Sequence, residues 1–233
     1  MSSDCEARRF FCCEIIKSIT NNTDNTNNNM TSSSRQHELL YFNGAGRAET
    51  IRISLHAAGI NFTDTRFTGK DWPAIKPTTP LGGVPVLKVD GDSHCQSVSL
   101  ARYAGKLGGF YPTDPLQALI VDEAIETLNE LMAVAPKHSD PEELLKLRKD
   151  FQAGTMTKYV DFLEGLIQKN GGVGFASTPS IADLSLWGTV KMIRTGDWTG
   201  IDATFFESYA GIVATVESIA KDDKVVAYYA SRE

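Results

Sequence analysis

The sequence has little that a metal site, a disulfide scaffold or a membrane span could use. It holds four cysteines, of which Cys5, Cys12 and Cys13 crowd the N-terminus and only Cys95 lies in the body. No CxxC pair, metal-spaced Cys/His cluster or disulfide framework can be drawn from that set, which points to a reducing, cytoplasmic setting. The four histidines, His37, His56, His94 and His138, are scattered. No apolar run approaches the about 18 residues that a membrane span needs. Positive charge is not in excess either: the formal net charge is −6, whereas a nucleic-acid backbone calls for clustered Lys and Arg. What remains, at 233 residues with 42% hydrophobic and 22% charged, is an ordinary globular composition with ample material for a core.

The first 36 residues read differently from the rest. From Asn21 to Asn29 the text "NNTDNTNNN" has nothing that can build a core, so residues 1–36 are expected to be a disordered Asn-rich extension. The preceding "RRFFCCEIIKSI" is interrupted by Glu14 and Lys17, unlike a secretory leader. Met30 is an alternative start.

From Leu39 onward elements alternate. "LLYF" reads as a strand and Arg47 to Ala58 as a helix with Ile51, Leu55 and Ala58 on one face. "INFTDTRF" is strand-like, and "GVPVLKVDGD" reads as a strand entering an Asp90-Gly91 turn, with "HCQ" returning. "SVSLARYAGKLGG" reads as a helix capped by Ser97 and ended at Gly108. After "YPTDP" every element looks helical. Leu116, Leu119, Ile120, Ile125, Leu128, Leu131 and Met132 form a stripe, Asp140-Pro141 opens another helix, and Ser180 starts a third. The expectation is a small α/β unit with a mixed four-stranded sheet over residues 37–111, then an all-α helical unit over 115–233.

The turn "NGAGRAE" between strand and helix suggests a phosphate cradle at first. A dinucleotide fingerprint needs a third glycine where Glu49 stands, and no Walker Lys-Ser/Thr follows. Attention passes to Tyr41, a phenol at a strand exit facing a helix start. Pro85 falls inside strand text, where proline loses a ladder bond and is often cis, which leaves Val84 free to pair with an extended ligand. Gln96 and Ser97 stand where free helix amides favour an anion. Trp72 and Lys76, four apart, can present an indole N–H and an ammonium.

Those pieces, "LLYFNGAGRAETIR", "DWPAIKPTTPLGGVPVLKVDG", "QSVSLARY" and "STPSIADLSLW", occur in an order that resembles the cytosolic glutathione transferases. The likeness is greatest to the sigma class, with its haematopoietic-type prostaglandin D synthases and lens crystallins, and it covers nearly everything from His37. It implies a thioredoxin-like domain followed by an all-helical domain, a homodimer, and glutathione as co-substrate without a required metal. It further implies that Tyr41 is catalytic with Arg47 beside it. Trp72 and Lys76 would meet the glycyl end of glutathione, Val84 before cis-Pro85 the cysteinyl backbone, and Gln96 and Ser97 the γ-glutamyl carboxylate. Glu130 would reach the partner's glutathione. "STPSIADLSLW" looks like the family's capping box, with Ser180 as the cap and Asp183 answering three residues on. The implied activity is conjugation of glutathione to a hydrophobic electrophile. The alternatives are a glutathione-dependent isomerase or peroxidase, or a non-catalytic crystallin-like role. Ala45, Lys137 and Gly83 stand where the prostaglandin-synthase type carries an arginine, a tryptophan and a lysine, which disfavours prostaglandin synthesis. Asp122, Glu123, Glu126 and Glu130 read as a solvated acidic face.

Overall fold

The structure, a computed structural model, describes residues 35–232, so residues 1–34 of the expected extension lie outside the described residues, while Arg35 and Gln36, expected within it, are instead held by Asp90 (3.0 and 2.9 Å). Strand β1 (His37–Phe42) buries His37 and Leu39 on the face that Tyr41 shares, the two-residue period of a strand with one covered side. A 3₁₀ turn (Gly46–Ala48) leads into α1 (Glu49–Ala57), and β2 (Phe62–Phe67) returns parallel to β1, with Tyr41 opposite Arg66. A four-residue helix α2 (Trp72–Ile75) and a further 3₁₀ turn (Lys76–Thr78) precede β3 (Val86–Val89), which runs antiparallel to β1 from Leu40 opposite Val86. Strand β4 (Asp92–His94) completes a mixed sheet in the order β2-β1-β3-β4, the thioredoxin-like arrangement.

The hairpin corrects one expectation. Asp90 and Gly91 have φ of 53° and 94°, a two-residue turn that sends the chain straight back. The returning strand is therefore "DSH" rather than "HCQ", and Cys95 and Gln96 lie beyond it. The following helix α3 (Ser97–Gly108) differs from its expected ends too. Ser97 is its first helical residue, not its cap; Gln96 occupies the cap with φ 74° and no side-chain cap bond, and Gly109 closes the helix.

The rest is helical: α4 (Pro115–Val134), α5 (Pro141–Phe151), a π-helical turn (Gln152–Met156), α6 (Thr157–Lys169), α7 (Ile181–Arg194), a 3₁₀ turn (Phe205–Ser208), α8 (Ala210–Ala220) and α9 (Asp223–Ala230). Asp140 caps α5 through the Glu143 amide, and Asp114 caps α4 in the same way through Gln117, each ahead of a proline at the first helical position. The α4 stripe is real from Val121 to Leu131. Leu116 and Leu119, expected on it, stand 64% and 61% exposed in the first turns of the helix. Helix α7 begins with the expected capping box. The buried Asp183 carboxylate accepts from the Ser180 amide (2.7 Å), the Ser180 hydroxyl (2.6 Å) and the Phe175 amide (3.0 Å). Helix α1 packs on α3, α7 and α9, so it is covered on nearly every side, and Glu49 through Leu55 are all buried. Among the described residues no helix is long and apolar enough to cross a membrane.

Candidate active site

Tyr41 leaves β1 and turns its phenol under the loop that follows. Its hydroxyl accepts a hydrogen bond from the backbone N–H of Arg47 at 3.2 Å. The approach depends on Gly46. That residue has φ +45°, and a Cβ there would stand 2.5 Å from the Tyr41 hydroxyl, so only glycine lets the phenol keep this position.

Two cavities lie near this loop; Gly46 and Arg47, which touch the phenol, help to line them, while Tyr41 itself lines neither. The smaller, about 220 Å³, is walled by Arg47, Leu81, Gly83, Val84, Pro85, Cys95, Gln96 and Ser97. The Val84–Pro85 peptide is cis, and Val84 lies just outside the β1–β3 ladder, which ends at Leu40 opposite Val86. Among the described residues the side chains of Gln96 and Ser97 form no hydrogen bond, although both stand at the N-terminus of α3, where free amides and the helix dipole favour an anion. Gln96 also holds a positive φ that a residue with a side chain adopts at a cost of about 1–3 kcal/mol, a kind of strain that tends to collect at ligand sites. Cys95 is half-buried and belongs to this wall.

The larger cavity, about 350 Å³, lies between the α1–α3 side and the α4–α7 side. Val98, Ala101, Ile125, Leu128, Met132, Leu184 and Trp187 give it an apolar wall, and Ala45, Gly46 and Arg47 form its edge. Arg47 and Ser97 are common to both cavities.

Trp72 and Lys76 line neither cavity. The Trp72 indole stacks on Phe67, centroids 5.7 Å apart and 9° from parallel, and tilts against Phe42. Lys76 is exposed, and its stem lies over Gly82, between the wall residues Leu81 and Gly83. Glu130 is exposed on α4, where its carboxylate raises the Tyr159 phenol above the ordinary tyrosine range. On the acidic face, Arg102 binds Asp122 (2.7 Å) and Glu126 (3.1 Å), and Tyr111 donates to Asp122 (2.9 Å). The face read as solvated is therefore held in part by an arginine from α3.

Arg52 is the residue that sequence reasoning missed. It is fully buried, pairs with Glu49 (3.1 Å) and Asp64 (3.0 Å), and donates to the carbonyl of Gly44 (2.7 Å). Its guanidinium carbon sits 5.8 Å from the centre of the Tyr41 ring. One side chain thus ties the loop that carries Gly46 to α1 and to β2. The only local signal was a Glu three residues ahead of an Arg on a helix, which usually marks a solvent-facing pair.

The family model for the glutathione S-transferase C-terminal domain matches residues 125–232. A glutathione S-transferase of Anopheles gambiae is 28% identical over 199 residues, 84% of this chain and 96% of the relative. Glutathione S-transferase 1 of Ascaris suum is 33% identical over 145 residues, 58% of this chain and 69% of the relative. Among solved structures, prostaglandin synthase D of Nilaparvata lugens superposes with a TM-score of 0.75 at 31% identity, covering 85% of this chain and 98% of that one. A thioredoxin-like sheet, a helical second half and these relatives together mean that the chain belongs to the glutathione S-transferase family. It is an enzyme of that family and counts a prostaglandin D synthase among its relatives.

Proposed function

We infer that the protein binds glutathione in the smaller cavity, stabilises its thiolate through the Tyr41 hydroxyl, and conjugates it to a hydrophobic electrophile held in the larger cavity. The observation that carries this reading is the position of Arg47. Arg47 lines both cavities and its amide donates to the Tyr41 hydroxyl at 3.2 Å, which keeps the phenol one residue behind the wall they share, although Tyr41 itself lines neither. Gln96 and Ser97 then hold the γ-glutamyl carboxylate, with uncommitted side chains at a helix N-terminus. Val84 pairs with the cysteinyl backbone as an added strand. Lys76 and Trp72 are left for the glycyl end, Lys76 from its place over the cavity-wall loop.

The chemistry follows from magnitudes. A free thiol titrates near about 8.5, so only a few per cent is thiolate at neutral pH. A hydrogen bond to a charged group is worth roughly 1.5–3 kcal/mol, and one pKa unit about 1.36 kcal/mol. A single phenol donor therefore lowers a thiol by about one to two units, enough to make thiolate a major species. Tyr41 acts as donor and does not take the proton itself. The thiolate forms a C–S bond at the electrophilic carbon as the leaving group departs with its electron pair. No metal enters these steps. Ala45 is at the edge of the larger cavity, where the prostaglandin-synthase type carries an arginine, and this favours conjugation over prostaglandin isomerisation. A cytoplasmic homodimer completes the reading, checked for assembly state by sedimentation equilibrium.

The test is the thiolate absorbance of bound glutathione titrated against pH, in the parent and in Tyr41→Phe. The parent should show a depressed thiol pKa that returns toward the free value in the variant, with kcat/KM lower by about 10- to 100-fold. Tight glutathione binding with an unshifted thiol in both proteins would refute activation and favour a binding or structural role.

A further inference from the structure

We propose that the larger cavity selects acceptor molecules that pair an apolar body with a carboxylate, and that Lys191 holds that carboxylate. The proposal rests on the reading that this cavity takes the acceptor. Four charged side chains line it: Arg47, Glu49, Lys191 and Asp197. The Glu49 carboxylate is already committed, one oxygen to Arg52 (3.1 Å) and the other to the Tyr229 hydroxyl (2.8 Å) and Arg232 (3.4 Å). Asp197 accepts the Thr195 hydroxyl at 2.7 Å. Among the described residues, neither Arg47 nor Lys191 has a carboxylate within ion-pair distance. Arg47 stands at the boundary with the smaller cavity, so Lys191 is the uncommitted cation that belongs to the larger cavity alone.

Its setting gives the ligand class. The ammonium lies 5.1 Å from the ring centres of both Trp187 and Tyr229, two aromatic members of the cavity wall. A cation on the aromatic edge of an apolar cavity leaves Val98, Leu128 and Met132 for a hydrocarbon or aryl body and places a positive charge where that body ends. A lysine there for packing alone would rest on the same rings, because its stem and charge both favour them. The two roles differ in whether charge on the ligand matters.

The experiment uses the whole chain without glutathione. Binding of phenylbutyrate and of its uncharged amide is measured by calorimetry in the parent, Lys191→Met and Lys191→Arg. The methionine keeps the apolar stem and removes the charge; the arginine keeps the charge. The parent should prefer the acid by roughly tenfold at low salt, and the preference should shrink near 1 M salt, where screening acts within about 3 Å. It should vanish in Lys191→Met and persist in Lys191→Arg. Equal binding of acid and amide by the parent, no binding of either, or a preference that survives in Lys191→Met would each overturn the proposal. Because the assay contains no glutathione, its failure and a failure of thiol activation are separate results.

Discussion

The smaller cavity draws its whole wall from residues 47 to 97, whereas the larger takes residues from Ala45 to Tyr229. The first is made of backbone features: a cis peptide, a strand edge just beyond its ladder, a helix N-terminus and a cap residue at positive φ. The second is made of side-chain faces from five helices that approach one another only in the folded chain. A backbone-built pocket fixes which groups of its ligand can bond, so it suits one constant molecule. A pocket built from helix faces can change its lining without changing the fold, so it suits an acceptor that varies.

Three changes test that division, from the largest expected effect to the smallest. Asp183 supports the start of α7, which walls only the larger cavity. Burial pushes its carboxyl up from 3.8 to about 6, against the hydrogen bonds from Ser180 and Phe175 that oppose the shift. With the folded-state value raised, its stabilisation is complete below the unfolded pKa and is lost as pH rises through about 6. Measured by urea unfolding, the parent should therefore lose roughly 3 kcal/mol relative to Asp183→Asn between about pH 4 and pH 7. A flat difference across that range would show that the capping box is not where burial strain sits.

Gly46→Ala acts beside the phenol. The left-handed backbone costs about 1–2 kcal/mol with a side chain, and the new methyl displaces the Tyr41 hydroxyl. Turnover should fall about tenfold with little change in the KM for glutathione, since the clamp at Gln96 and Ser97 is untouched. A rise in KM alone would place the phenol outside the reaction. Ser97→Ala removes a hydrogen bond to a carboxylate, worth about 1.5 kcal/mol at the weak end of its range, and should raise the KM for glutathione roughly tenfold. The acid-over-amide preference of the larger cavity should survive it; loss of both would mean that the cavities are not independent.

Legibility in the sequence follows the same division. The strand–turn–helix around Tyr41, the bend at Pro85, the Asp140 cap and the Ser180–Asp183 box depend on neighbours within a few residues, and all were readable. The thioredoxin-like sheet and helical second half followed from the order of such pieces. Arg52 was not readable, because what makes it a buried strut is Asp64 on the adjacent strand β2, twelve residues away. The α7 wall was missed for a related reason. Ser185, Gly188 and Thr189 are small and polar, with no helical stripe to mark them, and their place in a cavity depends on α1 lying opposite. Leu116 and Leu119 fit the α4 period but stand exposed in its first turns, ahead of the buried stretch that begins at Val121, which periodicity does not record. Ser97 and Gln96 exchanged roles by one position, because a cap is defined by backbone angle and Gln96 takes an angle that its residue type rarely adopts.

The Tyr229 hydroxyl bonds Glu49 across 180 residues of chain, and its ring closes the wall of the larger cavity. During synthesis, every wall residue of the smaller cavity has left the ribosome long before Tyr229 is made. The larger cavity therefore lacks one side until the last helix is made, whereas the residues that wall the smaller one are all present once Ser97 has been added.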